Sequence, residues 1–346
     1  MKANKIYSPA ENLKRAFAAF LFASGLLLAP LSALSAAGAL DSLSSLAAPY
    51  AVDVPVVSTP AVSTGTVVTG KALNAYFLSV GQGDAEYIEL PNGGNVLIDA
   101  GPNPTAPLIE FLTEHGITKI DHVVLTHPHS DHYSGLGYIF DNISVANFYD
   151  TRMDNTGSAR IKTLRAKVGE LGINAVYPAA GDELNWDPEV KVKVLNSCSE
   201  PGESGSGHVL NDCSIVLKVT YQNSSILYMG DAETDVEEKL IAAYGDELKA
   251  DVLKVGHHGS ATASSPAFLA KVRPWLAYIE VGYLNTFDFP APSTSINLAA
   301  IGATPRLTYI TRNEVYTIPA APPGPGGTPP LPPLPPIPPS PVLPAR

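Results

Sequence analysis

Six residues directly after one apolar stretch restrict the fold of this chain more than any other segment: His127-Pro128-His129-Ser130-Asp131-His132. Two imidazoles two residues apart in an irregular loop can turn to one side and bind one metal ion. Asp131 and His132, at the next bend, can bind a second ion. A lone histidine is usually structural, but four potential ligands in six residues at a strand end are hard to explain by packing. The pattern predicts a two-metal site at the carboxyl end of a strand.

Two later segments supply further ligands at predicted strand ends. Asp231 follows the apolar residues 226–229, and a carboxylate there can bridge two metals through its two oxygens. His257 and His258 follow the predicted strand that ends at Val255. We expect His257 to complete the ligands of the second metal, while His258 orients a neighbour or contacts substrate. The predicted metal ligands are therefore His127, His129, Asp131, His132, Asp231 and His257, and the predicted catalytic carboxylates are Asp131 and Asp231.

The ligand types also indicate a chemistry. Imidazole and carboxylate suit Zn²⁺, Mn²⁺ and Fe²⁺, so we expect two divalent ions, with Zn²⁺ favoured and Mn²⁺ as the alternative. A water between two cations bridged by Asp231 would ionise near neutral pH, and the bridging hydroxide would be the nucleophile. No serine or cysteine nucleophile is then required. The chain is predicted to be a metal-dependent hydrolase.

Strand and helix patterns alternate between residues 71 and 318. Strands are predicted at residues 72–80, 86–90, 95–99, 121–126, 190–196, 214–221, 225–229, 252–255, 276–280 and 306–310. Helices are predicted at residues 104–115, 131–140, 158–171, 234–244 and 266–272. Two sheets with helices outside bury such a pattern, so we expect one α/β (α+β) domain over 71–318.

The chain resembles the metallo-β-lactamase superfamily and, within it, the hydrolase domain of the ComEC competence-protein family. The matching segments are residues 77–85, 97–101, 126–132, 211–217, 228–232 and 254–260. The resemblance implies an αββα sandwich with the metals at the mouth between two sheets. Asp84 and Asp99 lie in these segments and are candidates to orient histidine ligands, although Asp84 fits a turn-capping role equally well.

The chain also departs from the ComEC pattern. The polytopic channel region is absent from the sequence, so we expect a stand-alone hydrolase. Phe289 stands where family members often have a histidine, which removes a donor to a phosphate or a leaving group. The superfamily often supplies the third ligand of the first metal from the loop that holds His208, Asn211 and Asp212. Spacing does not decide among these three. His208, the additional candidate, fits an exposed loop residue equally well.

Three functions remain open for such a site. The ComEC-like segments favour phosphodiester hydrolysis of nucleic acid or a small phosphoester. The alternatives are a lactone, β-lactam or thioester hydrolase, and a surface interaction protein with a vestigial metal site. The net charge of −11 opposes the counterion release that drives tight binding to nucleic acid. Stable nucleic-acid binding is therefore not expected.

The two ends of the chain differ from a globular interior. Residues 1–39 begin with basic residues and continue without charge, which predicts a cleaved signal peptide and a secreted or periplasmic protein. An uncleaved membrane anchor is the alternative; with the signal removed, no integral membrane protein is expected. Residues 40–70 are predicted to be a Ser/Thr/Pro-rich spacer. The proline-rich residues 319–346 are expected to be extended, as a solvated tail or as a ligand for a partner.

The chain contains two cysteines, Cys198 and Cys213. In an exported protein an even pair this close in sequence favours a disulfide, and two free buried thiols are the alternative. A disulfide would hold the base of the loop that contains His208 and Asn211. No Cys-x-x-Cys occurs, so thiolate zinc ligation is not expected.

Overall fold

A computed structural model describes residues 71–103 and 105–320 of the chain. The predicted signal peptide, the spacer and the proline-rich tail beyond residue 320 lie outside these described residues. Within them, no helix is both long enough and apolar enough to cross a lipid bilayer.

The described residues alternate between strands and helices. In chain order the strands are β1 (Leu73–Phe77), β2 (Glu86–Glu89), β3 (Asn95–Ile98), β4 (Lys119–Val124), β5 (Ser144–Tyr149), β6 (Met153–Asn155), β7 (Asn174–Val176), β8 (Glu183–Asp187), β9 (Val190–Asn196), β10 (Gly202–Ser204), β11 (Val216–Tyr221), β12 (Ser224–Tyr228), β13 (Val252–Lys254), β14 (Leu276–Ile279), β15 (Thr304–Leu307) and β16 (Glu314–Ile318). The α-helices are Ala106–Glu114, Ser130–Tyr133, Leu136–Asn142, Ala159–Glu170, Gly207–Asp212, Thr234–Tyr244, Pro266–Val272, Pro292–Ala300 and Thr308–Thr311. Two further segments, Gly245–Leu248 and Gly256–Gly259, form 3₁₀ turns.

Two seven-stranded sheets contain most of the strands. The first has the order β16-β1-β2-β3-β4-β5-β7 and the second the order β15-β14-β13-β12-β11-β9-β8. Strand β4 pairs in parallel with β3 and β5, and β13 pairs in parallel with β12 and β14. Parallel strands present their carboxyl ends at one edge of a sheet, which is where ligands commonly bind in such sheets. The loops after β4, β12 and β13 each leave such an edge.

Apolar side chains divide into three layers. One cluster lies between the sheets and includes Phe77 and Tyr278, whose stacked rings have centroids 3.7 Å apart. A second cluster joins the first sheet to helices through residues such as Phe111 and Ile161. A third joins the second sheet to helices through residues such as Phe268. This helix–sheet–sheet–helix arrangement confirms the predicted fold class, a single α/β sandwich.

The structure corrects two predicted elements near the site. The helix predicted at 131–140 is divided into Ser130–Tyr133 and Leu136–Asn142. Between them lies Gly135, where an added Cβ would stand 2.1 Å from the Ala100 carbonyl oxygen. The strand predicted at 306–310 ends at Leu307 and continues as the helix Thr308–Thr311. Tertiary packing overrides the local pattern in both places.

Several strands were not predicted from the sequence. Strand β5 has exposed or half-exposed residues over its first four positions, so it lacks a clear apolar alternation. Strands β6 and β10 have three residues each and pair only with each other. Short polar segments of this kind form strands because a neighbour supplies the hydrogen bonds, which the sequence pattern does not reveal.

Cys198 and Cys213 form a disulfide in the structure. Cys198 follows β9 and Cys213 precedes β11, and these strands are neighbours in the second sheet. The bond closes a loop of sequence separation 15 that contains the helix Gly207–Asp212. It therefore fixes the base of the segment from which Asn211 extends.

Replacing Cys198 and Cys213 together by alanine should lower the free energy of unfolding by about 3 kcal/mol. Loop-closure entropy predicts this size of loss for a loop of this length. Urea unfolding of the oxidised wild type and the double variant measures it, with the reduced wild type as the control. An unchanged unfolding midpoint in the double variant would contradict this role of the bond.

Candidate metal centre

The predicted ligands come together at the mouth between the two sheets. The segment His127–His132 follows β4, Asp231 follows β12, and His258 follows β13. Gly230 allows the approach of the β12 loop, because an added Cβ would lie 3.0 Å from side-chain atoms of both Thr126 and Ser214. The Asp231 amide then donates a hydrogen bond to Ser214 Oγ at 3.0 Å, which fixes the start of the ligand loop.

Four side chains form the tightest group: Asp131, His132, Asp231 and His258. Each offers one ligand atom, and these atoms all lie within 4.8 Å of one another. Asp231 Oδ2 is 3.3 Å from His132 Nε2 and 3.4 Å from His258 Nε2. Asp131 Oδ2 is 3.3 Å from His258 Nε2. Two carboxylates and two imidazoles thus converge on one point.

The group fits a divalent cation. His132 Nε2, His258 Nε2 and Asp231 Oδ1 are buried and have no hydrogen-bond partner in the structure. Buried polar atoms without partners cost free energy, and proteins rarely retain several of them side by side. A cation would accept their lone pairs. Mixed imidazole and carboxylate ligands suit Zn²⁺ and Mn²⁺, so the donor set is compatible with both predicted metals.

The choice between the two adjacent histidines differs from the prediction. The structure brings His258 into the group, whereas His257 is outside it, with its Nε2 3.9 Å from Asp231 Oδ2. Both residues have positive φ, 48° and 52°, in the turn Gly256–Gly259. This backbone buries His258 and leaves His257 partly exposed, with Nδ1 3.0 Å from Glu233 Oε1. In this geometry His258, rather than the predicted His257, could hold a metal ion together with Asp131, His132 and Asp231.

His127 and His129 form a second group beside Asp231. His127 Nε2 is 3.8 Å from Asp231 Oδ2 and 2.9 Å from His129 Nδ1. Burial and the neighbouring charge of His132 hold the pKa of His127 well below its usual range. The imidazole is therefore neutral and keeps the lone pair that a metal requires. Asp231 Oδ2 thus lies within 3.8 Å of nitrogens in both groups, as a carboxylate shared by two metals would require.

Asn211 is the best placed of the three candidates for a third ligand on this side. It is buried, its Oδ1 has no hydrogen-bond partner, and its Nδ2 donates to Glu233 Oε1 at 2.9 Å. It also lies beside His129. Burial and His132 lower the pKa of His129, whereas the polar contact with the Asn211 side chain raises it. The side chain of His208 is 74% exposed and bonds to Glu233 instead.

Asp212 has a different environment. Burial raises its pKa, and its charged neighbours are Lys239, Glu233 and Asp235 rather than the His127 and His129 pair. An oxygen ligand from Asn211 is consistent with the hard divalent ions that also accept carboxylates. The sequence placed Asn211 among three candidates. Asp212 Oδ1 also lacks a hydrogen-bond partner, so the burial of Asn211 and its position beside His129 are what distinguish it.

Two buried carboxylates hold the histidines of the four-residue group. Asp99 Oδ2 lies 2.7 Å from His132 Nδ1, and Asp99 also accepts hydrogen bonds from Thr126. Asp84 Oδ1 lies 3.1 Å from His258 Nδ1, and this nitrogen is hydrogen-bonded to the Glu280 carbonyl oxygen at 2.9 Å. Such contacts fix the ring and the tautomer so that Nε2 would be free to bind a metal. Asp84 and Asp99 therefore lie where they can orient metal ligands.

The sequence did not predict the group of buried ionisable side chains around Asp84. Lys254 is fully buried and forms an ion pair with Asp84. Burial lowers its pKa, but Asp84 and Glu86 outweigh that effect and raise it. Burial and the Asp84 charge raise the pKa of Glu86 to about 8, against the opposing effect of Lys254. Burial and the nearby Glu86 raise the pKa of Glu280 well above its usual value.

Metal content should distinguish Asn211 from His208. Asn211→Ala is expected to lower the content from about two ions per chain towards one, because the first site loses an oxygen ligand. His208→Ala, in an exposed side chain, should retain both ions, and Asn211→Asp, which keeps an oxygen, should also retain them. Elemental analysis after dialysis against dilute chelator measures the content. Loss of an ion in His208→Ala but not in Asn211→Ala would reverse the assignment.

The pKa of Glu86 predicts a pH dependence of stability. Its folded-state pKa is raised to about 8, so the unfolded chain releases this proton at lower pH than the folded protein. The free energy of unfolding should therefore fall between roughly pH 5 and 8, by at most about 1.4 kcal/mol per pH unit from this group. Urea unfolding of metal-free protein across this range measures the slope.

Glu86→Gln should reduce that slope, because the amide carries no ionisable proton. Glu170→Gln, at an exposed position, is the matched control and should keep the wild-type slope. Equal slopes in wild type and Glu86→Gln would show that Glu86 is ionised in the folded protein near neutral pH.

Comparison with known proteins agrees with this geometry. ComE operon protein 3 of Bacillus subtilis is 27% identical over 271 residues, covering 71% of this chain and 34% of that protein. Competence protein ComA of Neisseria gonorrhoeae is 28% identical over 224 residues, covering 64% of this chain and 29% of that protein. Recombination protein 2 of Haemophilus influenzae is 29% identical over 222 residues, with coverages of 62% and 25%.

These relatives are ComEC-family proteins, and the chain spans about a third or less of their length. The predicted resemblance to the ComEC family is thus confirmed for this part of them. Residues 78–279 match the model of the metallo-beta-lactamase superfamily, more than half of the chain. The chain belongs to the metallo-beta-lactamase superfamily.

Proposed function

We propose that this protein is an exported two-metal hydrolase that cleaves phosphodiester bonds. One observation supports the hydrolase most directly. Ligand atoms of Asp131, His132, Asp231 and His258 converge within 4.8 Å, and both histidine Nε2 atoms are buried without partners. His127 and His129, with Asn211 beside them, would hold the other cation, the first of the two metals. The superfamily to which the chain belongs consists generally of hydrolases.

The side chains of the two groups would have different roles in such a reaction. The residues of the two groups would hold divalent cations, which when bound would supply a lowered pKa for water and polarisation of a substrate oxygen. Asp231 would bridge the two metal sites, since its Oδ2 lies 3.3 Å from His132 Nε2 and 3.8 Å from His127 Nε2. Asp99 and Asp84 hold the rings of His132 and His258 in place. A fixed arrangement of charge requires no reorganisation at the moment of reaction.

The resemblance to the ComEC family favours a phosphodiester, in nucleic acid or in a smaller molecule. Phe289 favours the second candidate, a lactone, β-lactam or thioester. Its ring lies 5.5 Å from the His257 ring, so an apolar group stands beside the centre where a hydrogen-bond donor was expected. The third candidate is an interaction protein with a vestigial metal site. The unpartnered ligand atoms oppose it, because selection for stability alone would provide them with partners.

Export is part of the same proposal. The Cys198–Cys213 disulfide supports it, because such bonds persist in oxidising compartments and are rare in the cytosol. The basic and then uncharged residues 1–39 support it independently. The proline-rich residues after 319 would then extend outside the cell, as a tail or as a ligand for a partner.

A parallel assay separates the candidate reactions. Protein loaded with Zn²⁺ or Mn²⁺ is incubated with bis-(p-nitrophenyl) phosphate, DNA, a lactone and nitrocefin. We expect phosphodiester cleavage and no turnover of the lactone or nitrocefin. Asp231→Ala and His129→Ala should each lower the rate by at least about 100-fold, since preorganised charge at the reacting atoms is lost. His208→Ala serves as the control and should retain the wild-type rate.

The opposite results have equally direct meanings. Turnover of the lactone or nitrocefin without phosphodiester cleavage would replace the proposal by the second candidate. Hydrolysis that Asp231→Ala leaves unchanged would remove every function that depends on this site.

A further inference from the structure

The segment from Gly282 to Pro290 forms a loop beside the metal centre and exposes large apolar side chains. Tyr283 is 71% exposed, Leu284 82% and Phe287 62%. Single exposed apolar residues are ordinary on protein surfaces, but several in one short segment mark a binding surface more often. The position and rigidity of this loop indicate which kind of ligand it would contact.

Asn285 holds the loop backbone in one conformation. Its Nδ2 donates hydrogen bonds to the carbonyl oxygens of Gly282 and Phe289, at 3.1 and 2.8 Å. Its Oδ1 accepts from the amides of Phe287 and Phe289, at 3.1 and 3.0 Å. One side chain therefore uses four hydrogen bonds to close the loop. The exposed rings are presented by a fixed backbone, which reduces the entropy lost when a ligand binds.

Both ends of the loop are joined to segments of the metal centre. The Gly282 amide donates to Gln82 Oε1 at 3.2 Å, two residues before Asp84. At the other end, the Ala291 amide donates to the Gly259 carbonyl oxygen at 2.8 Å. Gly259, next to His258, allows close packing, because an added Cβ would lie 2.7 Å from Pro290 Cβ. The position of the loop is thus fixed relative to the ligands.

A continuous series of contacts leads from the metal ligands to an exposed ring. His257 Nε2 is 3.9 Å from Asp231 Oδ2, and the His257 ring lies 5.5 Å from the Phe289 ring. Phe289 is stacked on Phe287, with centroids 5.5 Å apart and planes at 20°. Phe287 therefore extends an aromatic surface outward from the centre. We call Phe287 and Phe289 the aromatic platform.

We propose that the aromatic platform stacks with a nucleobase of the substrate while the adjoining phosphate occupies the metal centre. The inference rests on the proposed function for the position of the phosphate, and it specifies the substrate class as a nucleotide-containing phosphodiester. Aromatic side chains bind bases of any sequence through their flat faces. Because the net charge of −11 weakens contacts to a phosphate backbone, base stacking would supply affinity that electrostatics does not.

Binding measurements test this without relying on catalysis. Metal-loaded full-length protein is titrated calorimetrically with thymidine 5′-monophosphate and with 2-deoxyribose 5-phosphate, which lacks the base. Wild type should bind the nucleotide at least about fivefold more tightly, the lower limit expected for one stacked base. Phe287→Ala and Phe287→Leu should abolish this preference, whereas Phe287→Trp should retain it. Leu171→Ala, at an exposed apolar site outside the loop, is the control and should behave as wild type.

Three results would overturn the proposal. Wild type could bind the two phosphates equally, or the base preference could survive in both Phe287→Ala and Phe287→Leu. Light scattering could instead show a dimer that Phe287→Ala dissociates, with no base preference, which would make the loop a contact between copies of the chain. Failure of the proposed function is a separate result. A base preference without hydrolysis of bis-(p-nitrophenyl) phosphate would support the platform and remove the reaction.

Discussion

The convergence of four imidazoles on one carboxylate is the constraint on which the rest of this structure depends. Asp231 Oδ2 lies within 3.9 Å of a nitrogen of His127, His132, His257 and His258. These four histidines come from two loops, and Asp231 comes from a third. Those loops can meet only because parallel strands of both sheets end at the same mouth. The sandwich therefore serves to bring the ends of β4, β12 and β13 together, and its three apolar layers hold them there.

So many buried polar groups require further charged and hydrogen-bonding partners deeper in the protein. Asp99 and Asp84 contact His132 and His258 through their carboxylate oxygens, and the fully buried Lys254 forms an ion pair with Asp84. Buried charges are tolerated when they are paired and hydrogen-bonded. Glu86 lies beyond them, and its raised pKa keeps a further negative charge out of the interior near neutral pH. The metal centre is thus the outer part of a polar column that extends into the core.

The local sequence was sufficient to predict the fold class and the site residues that lie within a recognisable motif. Strands with apolar runs could be predicted, as could the His127–His132 segment that follows one of them. His257 and His258 could not be separated, because identical neighbours differ only in backbone conformation. Glu86 and Glu280 could not be paired at all, since they are far apart in sequence and meet only across the two sheets. Strands without a clear apolar alternation, such as β5, depend on partners in the same way.

The contact between Gly259 and Pro290 has a consequence for how this protein can evolve. The loop from Gly282 to Pro290 packs directly against the turn Gly256–Gly259. An insertion or deletion in the loop would therefore displace His258 as well. The side chains at 283, 284 and 287, however, project from a backbone that Asn285 holds independently of their identity. Substrate preference can therefore drift through single substitutions at these three positions, while the length of the loop remains under selection for metal binding.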